Sequence, residues 1–229
     1  MRILIVSATA FEIAPLITCL KGKPLHSGSR QKGLGKLDLK AGDQLKLKHN
    51  KNQIDILITG IGMTSTAYWL GKTLSPRNDR AYQFGVAGSF NRKLELGEVV
   101  QVTEDCFSEL GAEDGEKFLP LYKMGLPGTQ DISNKNYLPA LKKVRGITVN
   151  TVHGNDGSIQ KIKSRWKADV ESMEGAAFLY ACNMHGTPCV QVRAISNYVE
   201  RRNKKVWKME LAVKNLNEAA LRIIEAINF

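Results

Sequence analysis

The chain has 229 residues, of which 43% are hydrophobic and 24% are charged, and its formal net charge is +11. These proportions are typical of a water-soluble globular protein, and the length suits a single domain over residues 1–229. No apolar run approaches the roughly 18 residues that a membrane-spanning helix needs, so we expect no membrane partner.

Strand-like and helix-like segments alternate along the chain. Short apolar runs predict strands at residues 2–7, 54–59, 81–86, 97–103, 147–153 and 188–195. Apolar residues spaced three and four apart predict helices at residues 10–20, 63–74, 173–185 and 206–227. This alternation predicts an α/β fold with a mixed, mostly parallel central sheet that is flanked by helices.

The first candidate functional residue follows the N-terminal strand. Arg2 and the apolar run Ile3–Val6 resemble the start of a signal peptide, but the run is too short and Glu12 lies where it should continue. We therefore expect a cytoplasmic protein that begins with a strand. Glu12 fits two roles, a helix-dipole partner in the first helical turn or a general base for a water molecule.

Much of the positive charge lies in residues 21–53, which contain nine Lys and Arg residues against two Asp residues. A basic patch can indicate nucleic-acid binding. This segment has no aromatic residues among its cations and no helical periodicity, so a solvated loop or the outer face of a hairpin is the favoured interpretation. The positive charge also suits an anionic small-molecule substrate, because electrostatic attraction accelerates the association of substrate and protein.

Two glycine-rich turns are predicted to follow strands. Thr59-Gly-Ile-Gly62 precedes a helix, and such turns can bind phosphate through backbone N–H groups, although this one lacks the Gly-Lys-Ser/Thr of a P-loop. Gly85-Val86-Ala87-Gly88 would let the backbone approach a flat ligand closely. A tight turn after a strand explains either motif equally well when the motif is considered alone.

The stretch from residue 105 to residue 130 interrupts the alternation of strands and helices. Gly, Asp, Glu and Pro are frequent in it, and long irregular segments within compact domains are usually functional loops. We therefore expect an irregular loop with a functional role in this part of the chain.

The four cysteines have no metal-binding or disulfide signature, since none of them is in CxxC spacing. Two of them, Cys19 and Cys182, fall in apolar helical patterns. Buried thiols in a reducing compartment are the favoured interpretation, and we expect neither a metal site nor a disulfide.

Two motifs near the C-terminus place polar residues in apolar surroundings. Met173 and Glu174 open an Ala-rich helix that is apolar on nearly every face, and a carboxylate there needs a partner. The two vicinal hydroxyls of a ribose can bond both of its oxygens, although Glu174 could equally stabilise the start of its helix. Asn197 follows the last predicted strand. Like Glu12 and both glycine turns, it falls where ligands bind in open α/β sheets.

Together these motifs resemble the nucleoside phosphorylase and nucleosidase superfamily over essentially the whole chain. The matching pieces are Phe11-Glu12, Thr59-Gly-Ile-Gly62, Gly85-Val-Ala-Gly88, Met173-Glu174 and Val192-Arg-Ala-Ile-Ser-Asn197. Within the superfamily the resemblance is greatest to the futalosine hydrolases, because of Glu171–Phe178, Ser196–Asn203 and Trp207. It implies a nucleoside phosphorylase-like fold, hydrolysis of futalosine to release hypoxanthine, no cofactor, no metal, no nucleic-acid partner, and a homo-oligomer, most often a dimer.

The same resemblance implies roles for individual residues. Glu12 corresponds to the residue that activates water. Met173 and Glu174 correspond to the pair that binds ribose, and Asn197 to the residue that contacts the purine base. Further substrate-binding positions are implied at Val86, Ala87, Gly88, Ser172, Arg193 and Ser196.

Asn197 stands where adenine-specific relatives have an Asp that protonates N7. Hypoxanthine presents two acceptors, N7 and O6, which an ionised Asp would repel. An Asn amide can donate to O6 and can accept from N7–H once that proton arrives. We therefore expect an oxopurine leaving base, with the proton supplied by water or another group.

Two departures from the relatives' patterns bear on the reaction. Ser172 replaces the first carboxylate of a Glu-Met-Glu motif. Gln83 stands where phosphorylases commonly have a phosphate-binding Arg, and the loss of that cation removes a charge-assisted partner for phosphate, which favours hydrolysis. Futalosine also carries a benzoate-type carboxylate on its tail, for which position alone suggests Arg201, Arg202, Lys205 and Trp207.

The sequence leaves three rival functions open. The chain could release adenine or act as a phosphorylase on 6-oxopurine nucleosides. It could be a basic nucleic-acid-binding protein. It could also be a non-catalytic nucleoside sensor, although the presence of both Glu12 and Glu174 argues against that function.

Overall fold

The computed structural model describes residues 1–22, 37–128 and 130–227. Its strands are β1 (Arg2–Ser7), β2 (Gln44–His49), β3 (Asn52–Ile58), β4 (Arg80–Ser89), β5 (Val99–Cys106), β6 (Gly111–Asp114), β7 (Lys117–Pro120), β8 (Asp131–Ser133), β9 (Lys142–Thr148), β10 (Val170–Ser172) and β11 (Cys189–Tyr198). Within the described ranges, nine strands form one sheet in the order β10-β9-β5-β11-β4-β1-β3-β2, with β8 paired to β5, and β6 and β7 form a hairpin. Parallel and antiparallel pairs both occur, so the predicted mixed sheet is confirmed.

Helices cover both faces of this sheet. They are α1 (Ala10–Leu20), α2 (Met63–Thr73), α3 (Leu121–Met124), α4 (Asp156–Arg165), α5 (Gly175–Met184) and α6 (Met209–Ala226), and a 3-10 turn spans Lys204–Val206. In β1, Ile3 and Ile5 pack into a cluster with α1 and α6. Leu4 and Val6 pack on the opposite face with α2 and α5, as the two-residue period of a strand requires.

The short strand β10 closes part of the sheet on itself. It pairs in parallel with β9 and in antiparallel fashion with the end of β4, where Glu171 lies opposite Gly88. The strands β4, β11, β5, β9 and β10 therefore form a ring. This closure brings the segment before α5 next to residues 85–88, although the two are far apart in sequence.

An amide from α6 holds α1 in place. Asn217 Oδ1 accepts from the backbone N–H of Leu16 at 2.8 Å, and Asn217 Nδ2 donates to the carbonyl of Glu12 at 2.8 Å. Pro15 lies within α1 and has no N–H for the helical pattern. Because Asn217 is buried, this contact fixes the turn of α1 that carries Glu12 against α6.

Two predictions about strand ends are wrong. The segment Gly85–Gly88 lies inside β4, and Asn197 lies inside β11, because these two strands pair in parallel along nearly their whole length. Small residues in β4 resemble a turn in the sequence, yet the pairing continues past them. A register shift between Ile195 and Asn197 disturbs the alternation of β11 at this point, and such bulges re-aim side chains near sites.

The stretch 105–130 is more regular than predicted. It contains the end of β5, the hairpin of β6 and β7, and α3. Each hairpin strand has only four residues, which is too short for a period to show in the sequence. The strand predicted at 147–153 lies earlier, as β9, and α4 was not predicted because it buries only Ile159 and Ile162.

The cysteines and the basic segment largely follow expectation. Cys106, Cys182 and Cys189 are buried free thiols, whereas Cys19 is partly exposed. Residues 23–36 of the basic segment lie outside the described residues, and the part that follows forms a hairpin of β2 and β3 with an exposed lysine face. No helix in the described ranges has the length and apolar character to cross a membrane.

Candidate functional site

Glu12 begins α1 with a carboxylate that several donors hold in place. Its Oε2 accepts from the backbone N–H of Thr9 at 3.0 Å and from the Thr9 hydroxyl at 2.9 Å, and the Ser7 hydroxyl lies 3.3 Å away. Its Oε1 accepts from the backbone N–H of Val86 at 3.0 Å. These contacts join the end of β1 to β4, so the fold fixes the direction of the carboxylate.

Burial raises the pKa of Glu12 above its ordinary value of 4.5, and the neighbouring negative charge of Glu174 raises it further. The hydrogen bond from Val86 and the charge of Arg193 act in the opposite direction without cancelling the rise. A carboxylate with a raised pKa is a stronger base than an exposed one. Glu12 therefore has the chemical character of a general base.

Glu174 precedes the first residue of α5, and both of its oxygens have partners. Oε1 accepts from the backbone N–H of Gly62 at 3.1 Å, and Oε2 lies 3.4 Å from Arg193 Nη1. Gly62 has a φ of +97°, a backbone conformation that favours glycine. The glycine turn that the sequence left open as a phosphate binder thus donates to a carboxylate.

Arg193 is a buried cation, 1% exposed, that lies between the two carboxylates. Its Nη1 lies 3.4 Å from the Val86 carbonyl, and its Nη2 donates to Gln83 Oε1 at 2.9 Å. A Cβ at Gly85 would clash with Arg193 Nη1 and would lie 3.1 Å from Glu12 Oε1. Gly85 is therefore required for the guanidinium to pack beside Glu12, a role that the sequence did not reveal.

A third buried carboxylate lies behind Arg193. Asp105 Oδ2 accepts from Gln191 Nε2 at 3.0 Å, and Gln191 Oε1 accepts from Arg193 Nε at 3.1 Å. Asp105 Oδ1 accepts from the Thr148 hydroxyl at 3.0 Å and from the Cys106 N–H at 2.8 Å. Burial raises the pKa of Asp105 to about 6, although these hydrogen bonds lower it. The sequence did not point to Asp105. Its only visible feature there is that it is a charged residue just after the strand predicted at 97–103.

Ser196 and Asn197 form the other end of the candidate site. The Ser196 hydroxyl lies 2.8 Å from Asn197 Oδ1 and 3.2 Å from the Ala87 carbonyl, and Asn197 Nδ2 donates to the Tyr198 carbonyl at 3.0 Å. A Cβ at Gly88 would lie 3.2 Å from Asn197 Nδ2, so the amide packs over this glycine. Each end of the amide uses one of its two bonding positions in these contacts.

A histidine and a carboxylate border that same end. Glu171 Oε2 lies 2.7 Å from His153 Nδ1, and Glu171 Oε1 accepts from the His153 backbone N–H at 3.0 Å. Glu171 is buried and lies opposite Gly88 in the sheet. His153 and Glu171 are 18 residues apart in the sequence, so no short motif contains this pair.

The other predicted substrate-binding residues occupy different settings. Val86 contributes backbone groups to Glu12 and Arg193, and Met173 is half-buried beside Glu174. The Ser172 hydroxyl accepts from the Gly175 N–H at 3.2 Å and so helps to begin α5. Among the described residues no group of three or more His, Cys, Asp or Glu is arranged to hold a metal ion. The structure brings together two sets of predicted residues, Glu12, Val86, Glu174 and Arg193 at one end and Ala87, Gly88, Ser196 and Asn197 at the other.

Comparison with known proteins gives consistent results. The sequence pattern of the phosphorylase superfamily matches residues 2–227. Futalosine hydrolase of Thermus thermophilus is 31% identical over 185 residues, which cover 73% of this chain and 80% of that protein. Futalosine hydrolase of Acidothermus cellulolyticus is 28% identical over 178 residues, which cover 72% of each.

Solved structures share the whole fold at low sequence identity. The native structure of futalosine hydrolase of Helicobacter pylori gives a TM-score of 0.77 at 15% identity and covers 99% of this chain and 98% of that one. The 5'-methylthioadenosine/S-adenosylhomocysteine nucleosidase of the same organism, in complex with a substituted pyrrolidin-3-ol, gives a TM-score of 0.77 at 16% identity with the same coverage. These structural likenesses establish the fold alone.

Proposed function

This chain belongs to the phosphorylase superfamily, and we propose that it is a nucleosidase that hydrolyses futalosine to hypoxanthine and dehypoxanthine futalosine, a step in menaquinone biosynthesis. One observation carries the proposal. Two buried carboxylates and an arginine lie at one end of the site, and an amide lies at the other end. The sequence relatives described above are futalosine hydrolases, which agrees with this choice.

The acidic end suits the sugar and the attacking water. Cleavage of an N-glycosidic bond leaves positive charge on the ribose and negative charge on the base, and an enzyme accelerates it by stabilising both. We assign Glu174 to the ribose hydroxyls and to the cationic sugar, because Gly62 and Arg193 fix its two oxygens. We assign Glu12 to removal of a proton from the water that attacks the anomeric carbon.

The amide end suits an oxopurine. Ser196 and the Tyr198 carbonyl orient Asn197 so that Oδ1 and Nδ2 each keep one further bonding position. In this assignment Nδ2 donates to O6 of hypoxanthine and Oδ1 accepts from N7–H. An amide has no proton to give at neutral pH, so the proton on N7 comes from water or from another group.

Hydrolysis rather than phosphorolysis agrees with the surroundings of Arg193. Gln83 occupies the position where phosphorylases commonly have an Arg, and its Oε1 already accepts from Arg193 Nη2. Glu174 and Gln191 bind the other nitrogens of the guanidinium. Since these partners engage all three nitrogens of Arg193, we propose that water rather than phosphate is the acceptor of the sugar.

We place the substrate tail near the segment that follows β11. The Arg202 guanidinium lies 5.5 Å from the centroid of the Trp207 ring, and the backbone N–H of Arg202 donates to the Gly154 carbonyl at 3.0 Å. An aromatic ring beside a cation is a suitable partner for a benzoate-type group. Arg201 and Lys205 are exposed in the same segment and are weaker candidates.

The rate should depend on pH through Glu12. A general base works only without its proton, and burial raises the pKa of this carboxyl above 4.5. We therefore expect kcat/KM to fall as the pH drops below that raised pKa, so that the acidic limb lies above the pKa of an exposed Glu. A pH profile of kcat/KM for futalosine measures this limb, and a limb at 4.5 or lower contradicts the assignment.

Product analysis tests the proposed function directly. The protein is incubated with futalosine, inosine and methylthioadenosine, with and without phosphate, and the released base is identified by chromatography. We expect hypoxanthine from futalosine at a rate that does not depend on phosphate. Adenine from methylthioadenosine as the preferred reaction, or a requirement for phosphate, would replace the proposal by one of the related activities. No cleavage, combined with strongly salt-dependent nucleic-acid binding, would place the protein in another class.

We further propose a single-domain, cytoplasmic protein that forms a homodimer. Exposed apolar side chains on and beside the packed helices α2 and α5 support self-association, and they are Ile61, Tyr68, Tyr180 and Met184. Clustered apolar exposure of this kind is typical of interfaces. Light scattering should give twice the chain mass of 25.4 kDa, and a monomer would contradict the dimer without affecting the proposed reaction.

A further inference from the structure

The proposed mechanism leaves the network behind Arg193 without a role. Asp105, Gln191 and Arg193 are all at most 3% exposed and form a continuous chain of hydrogen bonds. Gln191 and Arg193 are two residues apart on β11 and point to the same face of the strand. Asp105 lies on β5, which pairs with β11. The chain therefore links two strands and reaches Glu174 through Arg193 Nη1.

Each hydrogen bond in this network has one possible direction. Arginine has only donors, and an ionised carboxylate has only acceptors. Gln191 lies between the two, so its oxygen must face Arg193 and its nitrogen must face Asp105. On the far side, Thr148 Oγ accepts from the Ala176 N–H at 2.7 Å and therefore gives its own proton to Asp105 Oδ1.

The packing leaves no room for another arrangement. A Cβ at Gly175 would clash with Asp105 Oδ2 and with Gln191 Oε1, and a Cβ at Gly146 would lie 3.1 Å from Asp105 Oδ2. Two glycines thus make space for one carboxylate. A buried cation also needs a nearby anion to offset its loss of hydration, and Asp105 supplies this charge on the side of Arg193 that faces away from Glu174.

We propose that Asp105 and Gln191 are positioning residues that hold the Arg193 guanidinium against Glu174. Asp105 fixes which end of the Gln191 amide faces the arginine, and Gln191 Oε1 then holds Nε. Nη1 is left pointing at the ribose-binding carboxylate. The inference rests on the proposed function for its kinetic test and on the contacts alone for its structural test.

Asp105→Asn tests the role of the charge with almost no change of shape. The Thr148 hydroxyl and the Cys106 N–H need the carbonyl oxygen of the new amide, so its NH2 group faces Gln191 and turns that amide round. Gln191 then presents its own NH2 group to Arg193 Nε, and two donors oppose each other. We expect kcat/KM for futalosine to fall about 10- to 100-fold, because a buried donor loses its acceptor.

A second change should restore the network. Gln191→Glu in the Asp105→Asn background moves the negative charge from position 105 to position 191. The two oxygens of the new Glu side chain then accept from the NH2 group of the new Asn side chain and from Arg193 Nε. We expect kcat/KM to return to within about threefold of the parent, as coupled sites in contact can do. Gln191→Glu alone sets two carboxylates side by side and should stay impaired. Asp114→Asn, at an exposed position of β6, is the matched control and should keep the parental rate.

The outcomes separate this inference from the proposed function. A parental rate for Asp105→Asn overturns the inference, and so does a double variant that is no faster than the two single variants. If Asp105→Asn does not fold by itself, Gln191→Glu is compared with the double variant. The inference requires the double variant to be faster than Gln191→Glu, and an equal or lower rate overturns it.

If the parent releases no base from futalosine, the proposed function fails and crystal structures of the variants test the network. We then expect Arg193 Nη1 to move away from Glu174 in Asp105→Asn and to return in the double variant. An unmoved guanidinium in Asp105→Asn overturns the inference.

Discussion

Glu12→Gln should lower the rate of hypoxanthine release by about 10²–10⁴-fold, the range that one well-placed acid or base contributes. The new side chain has nearly the same shape as the old one, but it cannot take a proton from water. The hydrogen bonds from Thr9 and Val86 would keep it in the same place. Release of hypoxanthine from saturating futalosine, followed by chromatography, measures the effect on kcat.

The loss of rate should be chemical rather than structural. The NH2 end of the new amide must face either the Val86 N–H or the Thr9 N–H, and such a buried mismatch costs about 1–3 kcal/mol. Removal of a buried negative charge offsets part of this cost. We expect a cooperative thermal unfolding transition close to that of the parent.

A matched control separates loss of the base from a general effect of the substitution. Glu116→Gln changes a side chain that is 95% exposed on the hairpin turn and should leave both rate and stability unchanged. Near-normal hypoxanthine release by a folded Glu12→Gln variant would mean that another group activates the water.

Asn197→Asp should shift the preference of the site from the oxopurine toward adenine nucleosides. An ionised carboxylate would face two acceptors on hypoxanthine, whereas a protonated one can donate to N7 of adenine and accept from its amino group. A buried polar group without a partner costs about 1–3 kcal/mol, so we expect the ratio of kcat/KM for futalosine to that for methylthioadenosine to fall about 5- to 150-fold.

The neighbours of Asn197 favour the protonated form of the new acid. Nδ2 donates to the Tyr198 carbonyl at 3.0 Å, and a carboxylate oxygen in its place would face the negative end of that carbonyl, which disfavours the ionised acid and leaves its one proton for N7 of adenine. Steady-state kinetics with both substrates give the ratio, and Asn183→Asp, at an exposed position of α5, is the control. An unchanged ratio would mean that Asn197 does not contact the base.

The sequence alone was sufficient for the fold class and for the main candidate residues. The helix predicted at residues 10–20 matches α1, because its apolar positions repeat with the helical period on one buried face. Glu174 stood out because a carboxylate that opens a strongly apolar helix needs a partner, and Glu12 stood out because it follows the N-terminal strand, where ligands bind in open α/β sheets. The resemblance to a superfamily with ordered motifs supplied Arg193 and Asn197, which periodicity does not distinguish from other polar residues in strands.

Local patterns predicted less well where pairing partners decide the structure. The small residues of Gly85–Gly88 resemble a turn, but β11 pairs alongside them and keeps β4 extended. The strand β10 has three residues, too few for any period, and it exists because β9 and β4 flank it. Its pairing brings Glu171 to Gly88 and thereby builds the His153 contact.

The tertiary structure alone decided how the charges are arranged inside the protein. Asp105 and Gln191 are 86 residues apart, and Glu12 and Val86 are 74 apart, so no short pattern contains either pair. Composition and period indicate which segments are buried, because the apolar residues of one strand or helix recur on one face with the period of that element. A buried carboxylate takes its pKa and its direction from donors that distant strands bring to it. The sequence therefore indicated which residues could react, and the packing of β4, β5 and β11 determined which of them meet.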